Sequence, residues 1–395
     1  MKKFINIVIL TLFCLVANAQ NATIRGFVYE ESSGEPAIFA SVYCKNTTYG
    51  APTDLNGYFV ISNIPAKDYI FYVTEVGYDT VKINVSLKPN DVKDVKVYIK
   101  ESAISLETFN VTAESQSSKN HVNTGVVNIT AKQVEKIPTI GGQADIAQYL
   151  QVLPGVIFTG DQGGQLYIRG GAPVQNKVLL DGMVIYNPFH SIGLFSVFDN
   201  DILRSIDVYS SGFGAEFGGR VSSVMDFRTI DGNKRKHKGK LGATTFGVQG
   251  MFEGPFKKPT DESPVSLTYV LSGKASYLDK TSQIIYPYAC TDENGLPFSF
   301  LDVYGKMSLG LGNGSKINVF GFSYNDKVDN YKGLASYNWN SYGGGMNFMF
   351  LPGKTPSIIE GTVAYSEYKS GLQDIDSLPR NSKISGVNIN VAATA

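Results

Sequence analysis

In the stretch SPVSLTYVLSGKASYL, residues 263–278, the side chains obey a strict two-residue rule. Val265, Leu267, Tyr269, Leu271, Gly273, Ala275 and Tyr277 are apolar or small, and Ser266, Thr268, Ser272, Lys274 and Ser276 fall between them. Successive side chains of a strand point to opposite faces, so this spacing predicts a long β-strand with one apolar and one polar face. The rule returns at Val303, Gly305, Met307, Leu309 and Leu311, at Tyr342, Gly344, Met346, Phe348 and Phe350, and at Val387, Ile389 and Val391. Turn sequences such as Gly312-Asn313-Gly314-Ser315 and Pro352-Gly353-Lys354 stand between these runs. Soluble sandwiches use strands of about 5–6 residues. Longer two-faced strands fit a membrane β-barrel with a wet lumen, since lipid leaves no sheet edge satisfied unless the sheet closes.

The rest of the composition narrows the choice. The first residues, MKKFINIVILTLFCLVANAQ, join two lysines, an apolar run from Phe4 to Ala17 and the small-x-small Ala17-Asn18-Ala19, which predicts a cleaved export signal over residues 1–19. Cys14 has no small residues before it, against lipoprotein processing, and no later segment is apolar for long enough to make a membrane helix. Lys plus Arg and Asp plus Glu both number 35, and that balance excludes an electrostatic nucleic-acid binder. Beyond the signal, Cys44 and Cys290 make no disulfide framework, and the histidines His121, His190 and His237 are scattered without an HExxH or CxxC pattern. No metal site, cofactor or catalytic group is therefore expected.

Three unlike pieces follow. Residues 22–100 carry six strand-like runs, TIRGFVYE, AIFASVYC, GYFVIS, YIFYVTEV, TVKINVSL and VKDVKVYI, which predict a small β-sandwich. Between them Asp54 and Asn56 precede Gly57; one carboxylate and one amide make a turn and fall short of a calcium loop. Residues 101–119 turn polar and Ser-rich, as a linker does, yet contain Glu107-Thr108-Phe109-Asn110-Val111-Thr112-Ala113. That heptad reads either as plain connection or as an extended peptide that adds to a partner's sheet edge. Residues 120–230 mix short elements. Thr130 and Asp145 are helix caps, Ile146, Tyr149 and Leu150 share a helical face, and Pro154-Gly155 ends it. Within LYIRGGAPVQNKVLLDGMVIYNP, LYI and KVLL are strand-like, with turn chemistry at Gly170-Gly171 and Asp181-Gly182. The pairs Gly163-Gly164, Gly170-Gly171 and Gly218-Gly219 suggest close backbone approach.

Two resemblances then become specific. G26-F-V, S33-G-E-P, T53-D-L-N-G-Y-F and E75-V-G-Y resemble the carboxypeptidase-regulatory-like, transthyretin-type sandwich, a noncatalytic appendage. LPGV at 153–156, LYIRG, NKVLLDGMVIYNP and ILRSIDVYSSGFGAEFGGRVSSVMDFRT at 202–229 resemble the plug of a TonB-dependent outer-membrane receptor of the Bacteroidetes type. The resemblance implies a mostly β chain: a transthyretin-like β-sandwich, an α+β plug domain over 120–230, and the first strands of an antiparallel transmembrane β-barrel over 237–395, beginning near Lys238. It implies that ETFNVTA, Glu107 to Ala113, is the TonB box offered to a periplasmic energy-transducing partner. Arg169, in the IRG motif, resembles a plug arginine paired with acids on the barrel wall, Gly170 and Gly171 would let the plug pass close to that wall, and Asp181-Gly182 would turn a plug strand. Ser210-Ser211-Gly212 stands where many relatives have Arg-Gly-Pro; Arg220, beside Gly218 and Gly219, is the arginine open to replace that second lock residue.

The implied function is energy-coupled uptake of an unidentified small nutrient, whether siderophore, cofactor, glycan or peptide, through the outer membrane. Its partners would be a TonB-type protein, outer-membrane lipid and, as a further candidate, a surface lipoprotein. Thr159–Gln165 and Phe189–Phe195 are the expected apical segments. About seven barrel strands are legible where plugged barrels use roughly 22, so a fragment of a longer receptor is expected. The competing reading is an exported, noncatalytic binding or surface-display module built on the sandwich; a peptidase is disfavoured by the missing zinc ligands.

Overall fold

The structure is a computed structural model; it describes residues 21–102, 125–137, 144–159, 165–190, 193, 195–290, 295–331, 335–353, 355, 357–374 and 378–394. Two compact units divide the chain, one holding the N-terminal sandwich and the other everything from Val122 through most of the remaining chain. The expected signal and the Glu107–Ala113 segment lie outside the described residues.

In the first unit seven strands form a sandwich: β1 (Asn21–Glu30), β2 (Ser41–Cys44), β3 (Gly50–Pro52), β4 (Tyr58–Pro65), β5 (Asp68–Thr74), β6 (Val81–Ser86) and β7 (Val92–Ile99). The sheets run β4-β1-β7 and β3-β2-β5-β6, with β1 and β7 parallel. Ile24, Val28, Phe59, Phe71, Val73 and Ile99 meet between them as one core. Asp54 is used up in its turn, accepting the backbone N–H of Asn56 and of Tyr58, each at 2.8 Å, which agrees with the turn reading.

The second unit opens with a small α+β module. Its strands are β8 (Val126–Thr130), β9 (Val156–Thr159), β10 (Gln165–Ile168), β11 (Lys177–Leu180), β12 (Met183–Val184), β13 (Leu203–Tyr209) and β14 (Val224–Thr229), with helices α1 (Ala131–Val134) and α2 (Ile146–Leu150). The caps stand where the sequence predicts them. The Thr130 N–H donates to Gln133 Oε1 at 2.8 Å, and Asp145 Oδ1 accepts from the Ala147 N–H at 2.8 Å. One sheet runs β12-β11-β14-β13-β8 and β9 pairs with β10. β8 was not legible in the sequence, because its five residues run directly into the Thr130 cap.

Eight strands complete the unit: β15 (Lys238–Ala243), β16 (Gly247–Lys257), β17 (Ser266–Ser276), β18 (Phe298–Gly310), β19 (Lys316–Tyr331), β20 (Ala335–Phe350), β21 (Ile358–Asp374) and β22 (Arg380–Thr394). They form one antiparallel meander in chain order, and a helix α3 (Leu278–Ile285) sits in the β17–β18 connection. Among the described residues no helix is long and apolar enough to cross a membrane, a statement that leaves β-strands aside.

The burial of this sheet is inverted relative to a soluble one. Along β17 and β18 the polar Ser266, Thr268, Ser272, Lys274, Asp302, Lys306 and Ser308 are buried, whereas Leu271, Leu301, Val303 and Met307 are exposed. Val387, Ile389 and Val391 on β22 are 63–67% exposed. Water offers no reason to expose a continuous apolar face while polar groups are packed away; a hydrocarbon solvent does. The α+β module occupies the polar side, where Ile168, Leu180, Ile185, Phe189 and Phe227 share a core with Val270, Phe320, Phe322, Tyr324 and Ala364 of the sheet. That contact explains why β19 escaped the periodic reading. Its inward Phe320, Phe322 and Tyr324 meet the module rather than water, so both faces carry apolar groups and the alternation fades.

Candidate functional site

The functional geometry lies where the module meets the inner face of the sheet, and three buried polar clusters hold it there. The first grows from Asp181, which turns the β11–β12 hairpin. Asp181 and Gly182 have φ of 50° and 88°, the pair of left-handed residues that a two-residue type I′ turn demands, as the Asp-Gly dipeptide predicts. The Asp181 carboxylate then accepts the Thr229 N–H at 3.1 Å, the Thr229 hydroxyl at 2.6 Å and the Tyr304 hydroxyl at 2.5 Å. Lys306 Nζ lies 3.6 Å from Asp181 and 3.1 Å from Asp231. Asp231 also pairs with Arg204 at 2.9 Å and with Lys316 at 2.8 Å. Asp181 of the module and Asp231, just beyond it, thus meet the module's Arg204 and two lysines of the wall.

Burial alone would raise both carboxyls, but the cations reverse its effect. Asp181 is held below its ordinary value by Lys306 and its hydroxyl donors, and Asp231 well below it by Arg204, Lys316 and Lys306.

The second cluster is built on the cap of α2. Lys274 of β17 reaches Asp145 Oδ2 at 3.3 Å and donates to the Ser196 carbonyl at 2.9 Å. The same carboxylate accepts the Ser196 N–H at 3.0 Å, so one side chain starts the helix, anchors the 195–198 segment and binds the wall.

Polarity is reversed in the third. His190, with no exposed surface, places Nε2 at 2.9 Å from Asp302 and Nδ1 at 3.1 Å from Asp326, both on the wall. The ring stacks on Phe300 with centroids 3.7 Å apart. Burial works against the charged ring, yet the two facing carboxylates win and raise the His190 pKa, which favours an imidazolium that donates through both nitrogens to β18 and β19.

The expected site residues fare differently. Arg169 stands exposed at φ 48°, its N–H bonded to the Gly155 carbonyl at 2.8 Å. It occupies the turn after β10. Gly170 has open space around it, and a Cβ on Gly171 would strike Ser222 of the module itself. Gly218 and Gly219 are exposed with nothing closer than 3.8 Å to an added Cβ. Arg220 is half-buried, donates to the neighbouring Gly219 carbonyl at 3.2 Å and lies near Lys177.

The close approach falls instead at Gly182. A Cβ there would sit 2.5 Å from Thr362 Cγ2 of β21, and its carbonyl accepts from Asn388 of β22 at 2.8 Å. Gly182→Ala adds left-handed strain of about 1–2 kcal/mol to that clash. It should weaken the docked module by about 2–3 kcal/mol in urea titration. Adding Thr362→Ala should restore only the clash part; full rescue would show that the backbone carries no strain.

His190 and Asp231 carry no local signature, and both were missed. Lys274 and Lys306 did leave one: each is a full charge at the middle of a strand's polar face, where a wet lumen needs only small polar groups.

A glycine-rich α+β module pinned by buried ion pairs inside an antiparallel sheet that is apolar on its outer face defines a plugged membrane receptor. Residues 24–111 match the CarboxypepD_reg-like domain and residues 118–223 the TonB-dependent receptor plug domain. The chain thus carries a CarboxypepD_reg-like domain followed by a TonB-dependent receptor plug domain. The TonB-dependent receptor SusC of Bacteroides thetaiotaomicron is 29% identical over 177 residues, which span 43% of this chain and 17% of that protein. The siderophore receptor PirA of Acinetobacter baumannii superposes with a TM-score of 0.49 at 17% identity, over 72% of this chain and 46% of that one. For the ferric enterobactin receptor PfeA of Pseudomonas aeruginosa the TM-score is 0.43 at 15% identity, over 72% and 47%. The chain thus spans less than half the length of each of these relatives.

Among the described residues no group of three or more His, Cys, Asp or Glu side chains is placed to hold a metal ion.

Proposed function

We propose that the protein is exported through residues 1–19 and works in the outer membrane as a TonB-dependent transporter for energy-coupled uptake of a small nutrient. In this reading 22–100 is a periplasmic sandwich, 101–119 the segment bearing the TonB box Glu107–Ala113, 120–230 the plug and 237–395 the barrel wall. A periplasmic TonB-type protein pulls on the box. The observation that carries the reading is the inverted sheet, apolar outside and polar inside, with the plug seated on its polar face.

Transport requires the plug to yield, so the ion pairs of Asp145, Asp181, Asp231 and His190 are the resistance that the pull must overcome. Pulling on a plug held by clusters set around one face breaks them in sequence, at less force than shearing all at once.

Outer-membrane recovery after sarkosyl extraction, with faster migration of the unheated protein in SDS gels, is the expected behaviour. Recovery in the soluble fraction would end the proposal. For the box, Phe109→Cys should crosslink to a TonB-type partner in intact cells, and a crosslink equally strong from Ser117→Cys alone would remove the assignment of 107–113.

A further inference from the structure

Across β19 to β22 the outward face changes character within one row. Val363 and Tyr365 on β21 and Val387, Ile389 and Val391 on β22 are exposed apolar side chains. The next registered rows are Tyr342, Glu367 and Ser385, then Asn340, Lys369 and Lys383, and one row further Lys327 of β19 faces Asn338. Within them Glu367 is 3% exposed and pairs with both Lys369 at 2.9 Å and Lys383 at 3.0 Å, whose side chains remain 51% and 56% exposed. The Tyr365 hydroxyl donates to the same carboxylate at 2.6 Å, and Lys369 lies 5.6 Å from the Tyr342 ring centre. A single buried carboxylate thus holds two ammonium groups side by side, and one of their charges is left over.

The height of this row matters. Ile359, at the start of β21, to Lys369 is ten residues on, about 25 Å along the membrane normal at roughly 3.3 Å per residue and a tilt near 40°. That is about the height of the apolar band of an outer-membrane barrel. The rim carries the 244–246, 277–297, 332–334 and 375–379 connections and the opposite one 258–265, 311–315 and 351–357; the 277–297 connection, longer than any on the opposite side, marks the outer rim.

We propose that Lys369 and Lys383, set by Glu367, bind the phosphate of an anionic lipid headgroup in the outer leaflet. A phosphate placed over the pair accepts from both ammonium groups and neutralises the surplus charge, while its acyl chains lie along Val363, Tyr365, Val387 and Ile389. Lys327, exposed on the same face, adds long-range attraction. The inference rests on the outer-membrane reading above.

The test uses the full chain in dodecylmaltoside, titrated with diphosphorylated lipid A and followed by native mass spectrometry. Lys369→Ala with Lys383→Ala should weaken binding about twenty-five-fold, at roughly fivefold per cation, whereas Lys258→Ala on the opposite rim should leave it unchanged. Glu367→Gln, which releases both lysines from their fixed anion, should tighten it, and a lipid A stripped of phosphate should bind wild type as weakly as diphosphorylated lipid A binds the double variant. Equal affinity of the double variant and wild type, with heat-modifiable migration kept in both, overturns the headgroup site alone. Loss of that migration in the wild type would instead overturn the membrane reading on which it stands.

Discussion

Asp231→Ala is expected to cost about 3–5 kcal/mol of plug docking, the usual effect of removing one partner from a buried ion cluster. Its carboxylate faces Arg204, Lys306 and Lys316, and without it three cations lie together short of one anion, with Asp181 3.6 Å from Lys306. The single tryptophan, Trp339, packs against the joint core of plug and wall and so reports the docked state by its emission in urea. A loss below about 1 kcal/mol would mean that solvent, rather than Asp231, balances the cations. The pH dependence has a definite sign. A carboxyl depressed in the folded state gives stability that is present above its unfolded value, about 3.9, and is lost as pH falls through the lower folded value. The part of docking that Asp231 supplies should hold flat at neutral pH and give way only in acid below about pH 4, and the Asp231→Ala protein should lack much of that acid step.

The opposite sign is expected for His190. Its raised value means that the docking it supplies is complete below the unfolded imidazole value of about 6.5 and is lost as pH rises through the folded value. Above that point a neutral ring faces Asp302 and Asp326, with Lys274 the nearby cation and Tyr324 edge-on to the ring. Trp339 emission in urea titrations from pH 6 to 9 should show wild-type docking weakening with alkalinity. His190→Gln keeps hydrogen-bonding capacity without the charge, so it should be weaker by about 3 kcal/mol at pH 6 and flat across the range. A wild type that is itself flat over that range would refute an imidazolium bridge. The two clamps therefore fail at opposite ends of the pH scale, and a plug held by both is most firmly seated between them.

Much of this architecture was open to reading residue by residue. Thr130 and Asp145 cap helices because a short oxygen side chain before an apolar helical face has few other uses. Asp181-Gly182 makes its turn because two left-handed residues in succession exclude nearly every other pair. Alternation at 265–277 and 303–311 reported strands because one face of each met a different medium from the other. The same logic failed on β19, where the plug gave the inner face an apolar neighbour.

The exposure of Arg169 was likewise not legible: a motif places a residue along the chain, but which way a turn presents its side chain is decided by the tertiary structure. In the end the chain's local chemistry settled the strands, caps, turns and domain order, since each depends on residues within a few positions of one another. Which charge meets which was left to tertiary structure: His190 finds Asp326 across 136 positions and Lys274 finds Asp145 across 129. No local pattern encodes such pairs, because the low polarity that makes them strong exists only after plug and wall have closed on each other.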